Sequence, residues 1–319
     1  MHIECKVEIM KREHVAQSVK IWSEQYRLYC NNKAFPEYWK TNTSDIEGFL
    51  NDRINNKNAI VAIIDDQVAG FLTYDEFNFN GENYSFCPAI GHAAVEDHKE
   101  LVYLSLYKYI SQKWVERNVF NHLWAIFFND IKLKNLLFDL GFGSHLIDAF
   151  SNLDIKKDKE SEYKITVANA DSTDDLYELI KKSDLYYRSA PIFLRRPEIS
   201  KENVLDMVSY STVFIAWEKD KAIGFMNLNI SDSCDTEALF DKNNGLIDDI
   251  GAYIKPEYRG KGIGSSFLKA ISDHCGQNNI STVHVDFETA NPFANKFWRK
   301  YFDPMLISMR RTINKNINI

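Results

Sequence analysis

The chain has 319 residues, of which 45% are hydrophobic, 26% charged and 13% aromatic, enough apolar material for two cores rather than one. With 13 Gly and 7 Pro it is neither collagenous nor of low complexity. Its formal charge of −7, from 38 Lys and Arg against 45 Asp and Glu, offers no positive field to gather nucleic acid or anionic lipid.

Hydrophobic periodicity predicts a helix over 15–29, an aromatic loop (Phe35, Pro36, Tyr38, Trp39) and a helix over 45–54. Strands 59–64 and 68–74 follow across the tight turn Asp65-Asp66-Gln67, then a strand near 87–95. A long helix over 99–117, a buried strand 123–128 and a helix over 131–140 complete the first half, with Gly141 placed as a left-handed cap. The second half repeats this order: strand 163–167, helices 173–187 and 200–209, a hairpin 212–217 and 222–229, strand 246–254, a glycine loop, helix 263–276, strand 282–287 and helix 293–300. Between the halves, 154–162 reads DIKKDKESE, a charged linker that places the domain boundary there.

The start, MHIECKVEIMKREH, has no apolar run of signal-peptide length, and no stretch approaches the ~18 uncharged apolar residues that span a bilayer. The expectation is a cytoplasmic protein with neither membrane nor nucleic-acid partners. Cys5, Cys30, Cys87, Cys234 and Cys275 are scattered without a C-x-x-C pair, which predicts idle thiols and no metal.

The densest local signal is Lys255-Pro256-Glu257-Tyr258-Arg259-Gly260-Lys261-Gly262-Ile263-Gly264, between a predicted strand and a predicted helix. Pro256 stops the strand, and the glycines let the backbone turn with its N–H groups bare at the start of a helix whose dipole favours an anion. Arg259 and Lys261 add charge, so a pyrophosphate suits the nest. The spacing, R-G-x-G-x-G, is neither the P-loop pattern nor the dinucleotide-binding one.

This segment resembles the acyl-CoA-binding signature of the GNAT superfamily of N-acetyltransferases, and the resemblance covers the whole second half. It implies an α/β (α+β) fold of two tandem GNAT-like acyl-CoA N-acyltransferase domains, each a mixed central sheet flanked by helices. The domains would be 1–155, degenerate and without the glycine loop, and 163–319, binding acetyl-CoA and catalytic. By the same resemblance, Arg259, Gly260, Lys261, Gly262, Ile263 and Gly264 hold the CoA pyrophosphate. The strand edge, Ile250 to Ile254 with Ala252 and Tyr253, pairs with the pantetheine arm, which Asn291 also contacts.

Acetyl transfer to an amine needs a neutral nucleophile, a donor for the developing oxyanion and a proton for the departing thiolate. Strand alternation puts His284, Asp286 and Glu288 on one face, and Asp286 sits five residues before Asn291, where some family members carry a base. Asp248 and Asp249 are rival bases, and His284 reads equally as a satisfied core residue. Trp298 stands where many members have the Tyr that protonates the thiolate, which leaves Tyr301 and Tyr253 as substitutes. By the same resemblance the acceptor cleft is shaped by a basic, aromatic loop, with Tyr187, Arg188, Arg195 and Arg196 as candidates, and by an acidic one over 231–241. The implied activity is transfer of acetyl from acetyl-CoA, without metal, to a primary amine on a small molecule or peptide, by a monomer or homodimer. A non-catalytic acyl-CoA sensor is the alternative. In the first half the corresponding loop reads Ala94-Val95-Glu96-Asp97-His98-Lys99-Glu100, with no glycine and three carboxylates that would repel a pyrophosphate.

Overall fold

A computed structural model describes residues 3–153 and 161–317, so most of the charged segment expected to link the halves, 154–160, lies outside the described residues. Two units emerge, and they are interleaved along the chain rather than consecutive. The first comprises Met1–Ile147, Asp235–Phe240 and Pro304–Ile319, and the second Asp148–Cys234 and Asp241–Asp303.

In chain order the first unit runs β1 (Lys6–Ile9), α1 (Val15–Tyr29), α2 (Tyr38–Thr41), α3 (Ser44–Asn55), β2 (Ala59–Ile64), β3 (Gln67–Thr73), β4 (Asp75–Phe79), β5 (Glu82–Cys87), β6 (His92–Ala94), α4 (Lys99–Glu116), β7 (Asn121–Phe127), α5 (Ile131–Asp139) and the start of β8 (Gly143–Ser151). Helix α1 buries Val15, Val19, Trp22 and Tyr26, a stripe at helical spacing. One sheet has the order β1-β2-β3-β6, and β5, β7 and the chain's last strand, Asp303–Thr312, lie side by side in another. That last strand pairs with β7 from Leu306↔Phe127 to Thr312↔Asn121, which is why the C-terminal residues belong to this unit and not to the half of the sequence that precedes them. A long-range hydrogen bond does the same for 235–240: the buried Trp39 indole donates to Leu239 O at 2.7 Å.

The continuous strand expected near 87–95 is two strands in two sheets. Pro88 has no N–H to donate and a fixed φ, so a one-turn helix over Ala89–Gly91 separates β5, parallel to β7, from β6, antiparallel to β3. Over 75–86, where the sequence pattern carries no expectation, β4 and β5 form a hairpin closed by Asn80 and Gly81, both at positive φ as a tight primed turn requires.

His92 and His122 are buried in this unit. His92 bridges Tyr103 Oη and Ala125 O, each at 2.9 Å, and His122 bridges Tyr107 Oη at 2.9 Å and Val119 O at 3.1 Å. A carbonyl only accepts, so Nε2 carries the proton in both rings and Nδ1 accepts from the tyrosine. Burial holds both rings neutral, down to about 4. Unfolded histidines titrate near 6.5, so this stability is present above ~6.5 and is lost as pH falls toward ~4. Between pH 7 and 5 the first unit is expected to lose ~2 kcal/mol per ring. Urea denaturation of His122→Asn at the two pH values should show a shallower loss than the parent, and an equal loss would contradict this.

The second unit contains the end of β8, then β9 (Lys164–Val167), α6 (Thr173–Arg188), α7 (Lys201–Tyr210), β10 (Thr212–Glu218), β11 (Lys221–Ile230), β12 (Gly245–Ile247), β13 (Ala252–Ile254), α8 (Ile263–Gln277), β14 (Val283–Glu288) and α9 (Pro292–Tyr301). Its sheet order is β8-β14-β12-β11-β10-β9, with β13 pairing β11. The internal repeat is explicit in the pairing. As β5 joins β7 in parallel and β6 joins β3 antiparallel, so β12 joins β14 in parallel and β13 joins β11 antiparallel.

The strand expected over 246–254 is therefore broken. Asp249 (φ 53°) and Gly251 (φ 63°) adopt left-handed backbone, and the Gly251 N–H turns back to Asp248 O at 2.7 Å. Beyond Ile247↔Val285 the partnership with β14 ends, and β13 leans on β11 alone. The core beneath is built from Leu176, Leu179, Val204, Met207, Ile215 and Phe225. Among the described residues no helix is long and apolar enough to cross a membrane.

Candidate active site

The parting of β13 from β14 opens a cavity of about 330 Å³ within the second unit. Ala252, Tyr253 and Ile254 form one wall, Val285, Asp286 and Glu288 the other, and Phe293, Phe297 and Trp298 of α9 close one side. Arg259 and Gly264 line it at the start of α8, and Tyr186, Tyr187 and Arg196 line it from α6 and the loop after it.

At the α8 end the sequence permits an anion nest. Gly260 (φ 76°) and Gly262 (φ 81°) are left-handed, and Gly262 is the residue that caps the helix. The first N–H of the turn to be satisfied is that of Ser266, which donates to Gly262 O at 3.0 Å; the amides before it are the helix-start donors that an anion accepts. Gly264 is held to glycine by packing, since a Cβ there would stand 2.6 Å from the Phe297 ring. Arg259 Nε donates to Ile254 O at 3.0 Å while its guanidinium lies 4.4 Å from the Tyr186 ring centroid, so it bridges β13 and α6 beside the nest. Tyr186 Oη donates to Asn291 Oδ1 at 3.1 Å, and the same oxygen caps α9 by accepting from Ala294 N at 3.2 Å.

The other end of the cavity is acidic, with Asp248, Asp249, Asp286 and Glu288 on its wall. Asp248 and Asp249 share one donor, Asn229 Nδ2, at 2.6 and 2.8 Å. Desolvation, and then the charge of Asp249, push Asp248 up to about 6, with Asn229 opposing. Asp286 is open to the cavity; desolvation by the surrounding walls, and then the charge of Asp148, push it up to about 6 while His284 works against the rise. His284, two residues before Asp286 on β14, is buried, its Nε2 3.1 Å from Asp148 Oδ1. Burial opposes charge on that ring, but the hydrogen bond and charge of Asp148, with Asp286 and Asp248, outweigh it and raise the imidazole above its ordinary value.

Of the residues singled out in the sequence, Asp249, Ala252, Tyr253, Ile254, Arg259, Gly264, Asp286, Asn291, Trp298, Tyr187 and Arg196 all line this cavity. Gly260, Lys261 and Gly262, in the turn leading into α8, and Ile263, the first residue of that helix, lie outside its wall. Ile250 points away; its carbonyl accepts from Arg196 Nη1 at 3.4 Å, and its side chain lines a second cavity. Tyr301 is not on the wall. It faces Phe297 and receives the Lys300 ammonium at 3.0 Å, because one more helical turn carries it past the cleft. Arg195 is exposed and pairs with Glu198 at 3.9 Å, and Arg188, which is not on this wall, pairs with Asp184 at 2.5 Å and lines the second cavity. Asp148 was not anticipated; its signal was a lone carboxylate inside the apolar run of a strand, L-I-D-A-F. Tyr186, near the end of α6, carries no signal in the sequence that sets it apart from its neighbours. Among the described residues no cluster of His, Cys, Asp or Glu is placed to hold a metal.

The matching place in the first unit is filled from within. A one-turn helix over Glu96–His98 leads directly into α4, and the buried Lys99 ammonium sits 2.5 Å from Glu96 Oε1, 2.8 Å from Asp130 Oδ2 and 2.6 Å from Tyr29 Oη. Glu96 is thus neutralised rather than free to repel an anion, and an internal cation occupies the helix start.

Residues 173–303 match the sequence profile of the Acetyltransferase (GNAT) family. No curated protein shows significant sequence similarity to the chain. Among solved structures, a GCN5-related N-acetyltransferase from Sphaerobacter thermophilus aligns over 99% of this chain and 98% of its own, with TM-score 0.61 and 10% identity. A GCN5-related glucosamine N-acetyltransferase region of a fungal multi-domain GH3 β-N-acetylglucosaminidase aligns over 97% of this chain and 38% of that chain, with TM-score 0.54 and 11% identity. At such identities the likeness is one of fold.

Proposed function

We propose, from the match of residues 173–303 to the GNAT acetyltransferase profile, that the chain transfers the acetyl group of acetyl-CoA to a primary amine by direct attack in a ternary complex. The observation that carries this reading is one cleft with the glycine-lined start of α8 at one end and ionisable carboxylates at the other. The bare amides before Ser266, the left-handed Gly260 and Gly262, and the charges of Arg259 and Lys261 suit a pyrophosphate. The parted β13 and β14 leave room for an extended arm between them. Acetyl-CoA supplies the acyl group as a thioester; the chain's own residues orient it and move protons.

Asp286 is the base in this scheme. It makes no side-chain hydrogen bond among the described residues, whereas Asp248 and Asp249 are committed to Asn229. Titrating near 6, it is ionised at pH 7 yet closer in basicity to an amine than an ordinary carboxylate. Freeing a lysine-like amine of its proton at pH 7 costs ~4.6 kcal/mol and an α-amine ~1.4, so the base matters most for the former. Tyr253 is the acid, donating its proton to the departing sulfur. It lines the cleft, and burial, with Arg259 opposing, holds its hydroxyl protonated above the usual range.

Thiol release from acetyl-CoA with a panel of primary amines tests the scheme. Turnover is expected to rise with pH through about 6, as Asp286 ionises, and Asp286→Asn should lower kcat about 10²-fold at pH 7 and remove that limb. Acetyl-CoA binding without turnover for any amine would instead favour a sensor, the reading that Trp298 on the cleft wall prompts.

A further inference from the structure

A second cavity, of about 830 Å³, lies in the same unit between α6, α7 and the segment 196–199. It meets the acetyl-transfer cleft at Arg196 and Asp249, which line both. Its volume is in the range that encloses the body of a small organic ligand. Ile180, Leu185, Ile199, Met207 and Tyr210 make much of its wall apolar.

The charges on that wall are unevenly matched. Arg188 is paired with Asp184 at 2.5 Å and Lys181 with Glu178 at 3.1 Å. Arg196 stacks 3.6 Å over the Tyr187 ring and donates to Ile250 O. Asp206 and Asp249, by contrast, have no ion-pair partner among the described residues, and both line the cavity. A ligand that satisfies this surface is cationic at the Asp249 junction and apolar beyond it.

We infer that this second cavity holds the body of the acceptor, and that the acceptor is an amphipathic primary amine whose ammonium end passes Asp249 toward the cleft while an aliphatic or aromatic body lies against Ile199, Met207 and Tyr210. The inference rests on the acetyl-transfer reading for what happens to the amine, but not for where its body binds. Arg196 marks the passage: its guanidinium is fixed by stacking over Tyr187 and by Ile250 O, and the carboxylates of Asp248, Asp249, Asp286 and Glu288 on the cleft side outnumber it, so the junction favours a cation. Burial of a chain of methylenes or a ring in such a pocket is what separates this class from compact or polyhydroxylated amines.

The experiment is calorimetric titration of the CoA-saturated protein with 4-phenylbutylamine, ethylamine and glucosamine, for the parent and for an Ile199→Asn/Tyr210→Ser double variant. Tyr210 is exposed and Ile199 only half-buried, and retained acetyl-CoA binding reports that the variant is folded. The parent is expected to bind 4-phenylbutylamine at least tenfold more tightly than the other two amines, and the double variant to reduce that preference below threefold. Equal affinities in the parent, a preference for glucosamine, or a preference untouched by the double variant would each overturn the inference. Tight binding of 4-phenylbutylamine without thiol release would leave the cavity assignment standing and refute acetyl transfer. Acetylation of all three amines with equal kcat/KM would do the reverse.

Discussion

Gly262→Glu is expected to lower acetyl-CoA affinity by at least ~10³-fold, about 4 kcal/mol, with the second unit still folded. Gly262 caps α8 at φ 81°, a conformation a glutamate adopts only with strain of ~1–2 kcal/mol. The larger effect is local and electrostatic. A carboxylate at the helix start satisfies the bare amides itself and repels a pyrophosphate that would otherwise make charge-assisted hydrogen bonds there, each worth ~1.5–3 kcal/mol. Calorimetry with acetyl-CoA measures the loss, and thermal denaturation shows whether the fold survives. Parental affinity in a folded Gly262→Glu protein would mean that acetyl-CoA binds elsewhere.

The second large effect lies in the first unit. Lys99→Met is expected to destabilise that unit by roughly 3–5 kcal/mol, the usual consequence of removing one partner of a buried pair. Lys99 is 1% exposed, and the Asp130 side chain that faces it is 2% exposed. Methionine fills much of the volume but takes the ammonium away from the buried Asp130 carboxylate, which keeps the Leu133 N–H at 3.1 Å. Lys99→Met/Asp130→Asn should recover part of the loss, because the asparagine is neutral and can still cap α5. Urea denaturation measures both variants; a loss under ~1 kcal/mol for the single change would show that the cluster is not the internal substitute for a bound anion that its geometry describes. Acetyl-CoA affinity of the second unit should be unchanged by either variant.

How far the site could be read without coordinates depended on the distance over which each feature is encoded. The nest was legible because glycines at 260, 262 and 264, a proline before them and an apolar helical stripe after them are adjacent in the chain, and local backbone preference needs nothing more. The alternation that puts His284, Asp286 and Glu288 on one face was legible for the same reason. The hairpin over Asn80-Gly81 carried a local turn signal too, yet its outward Phe77 and Phe79 and short strands obscured the usual half-buried pattern.

By itself, then, the sequence determined two copies of one succession of helices and strands, and a glycine-lined helix start in only the second. Tertiary structure alone decided where the strands part at Asp249, that Lys99 closes the equivalent place in the first unit, that Asp148 meets His284, and that the C-terminal strand completes the first unit's sheet. Local chemistry selects backbone conformations among neighbours in the chain, whereas a cavity, a buried ion pair or a sheet edge is made by residues as far apart as Asp148 and His284, whose meeting depends on how every intervening element packs.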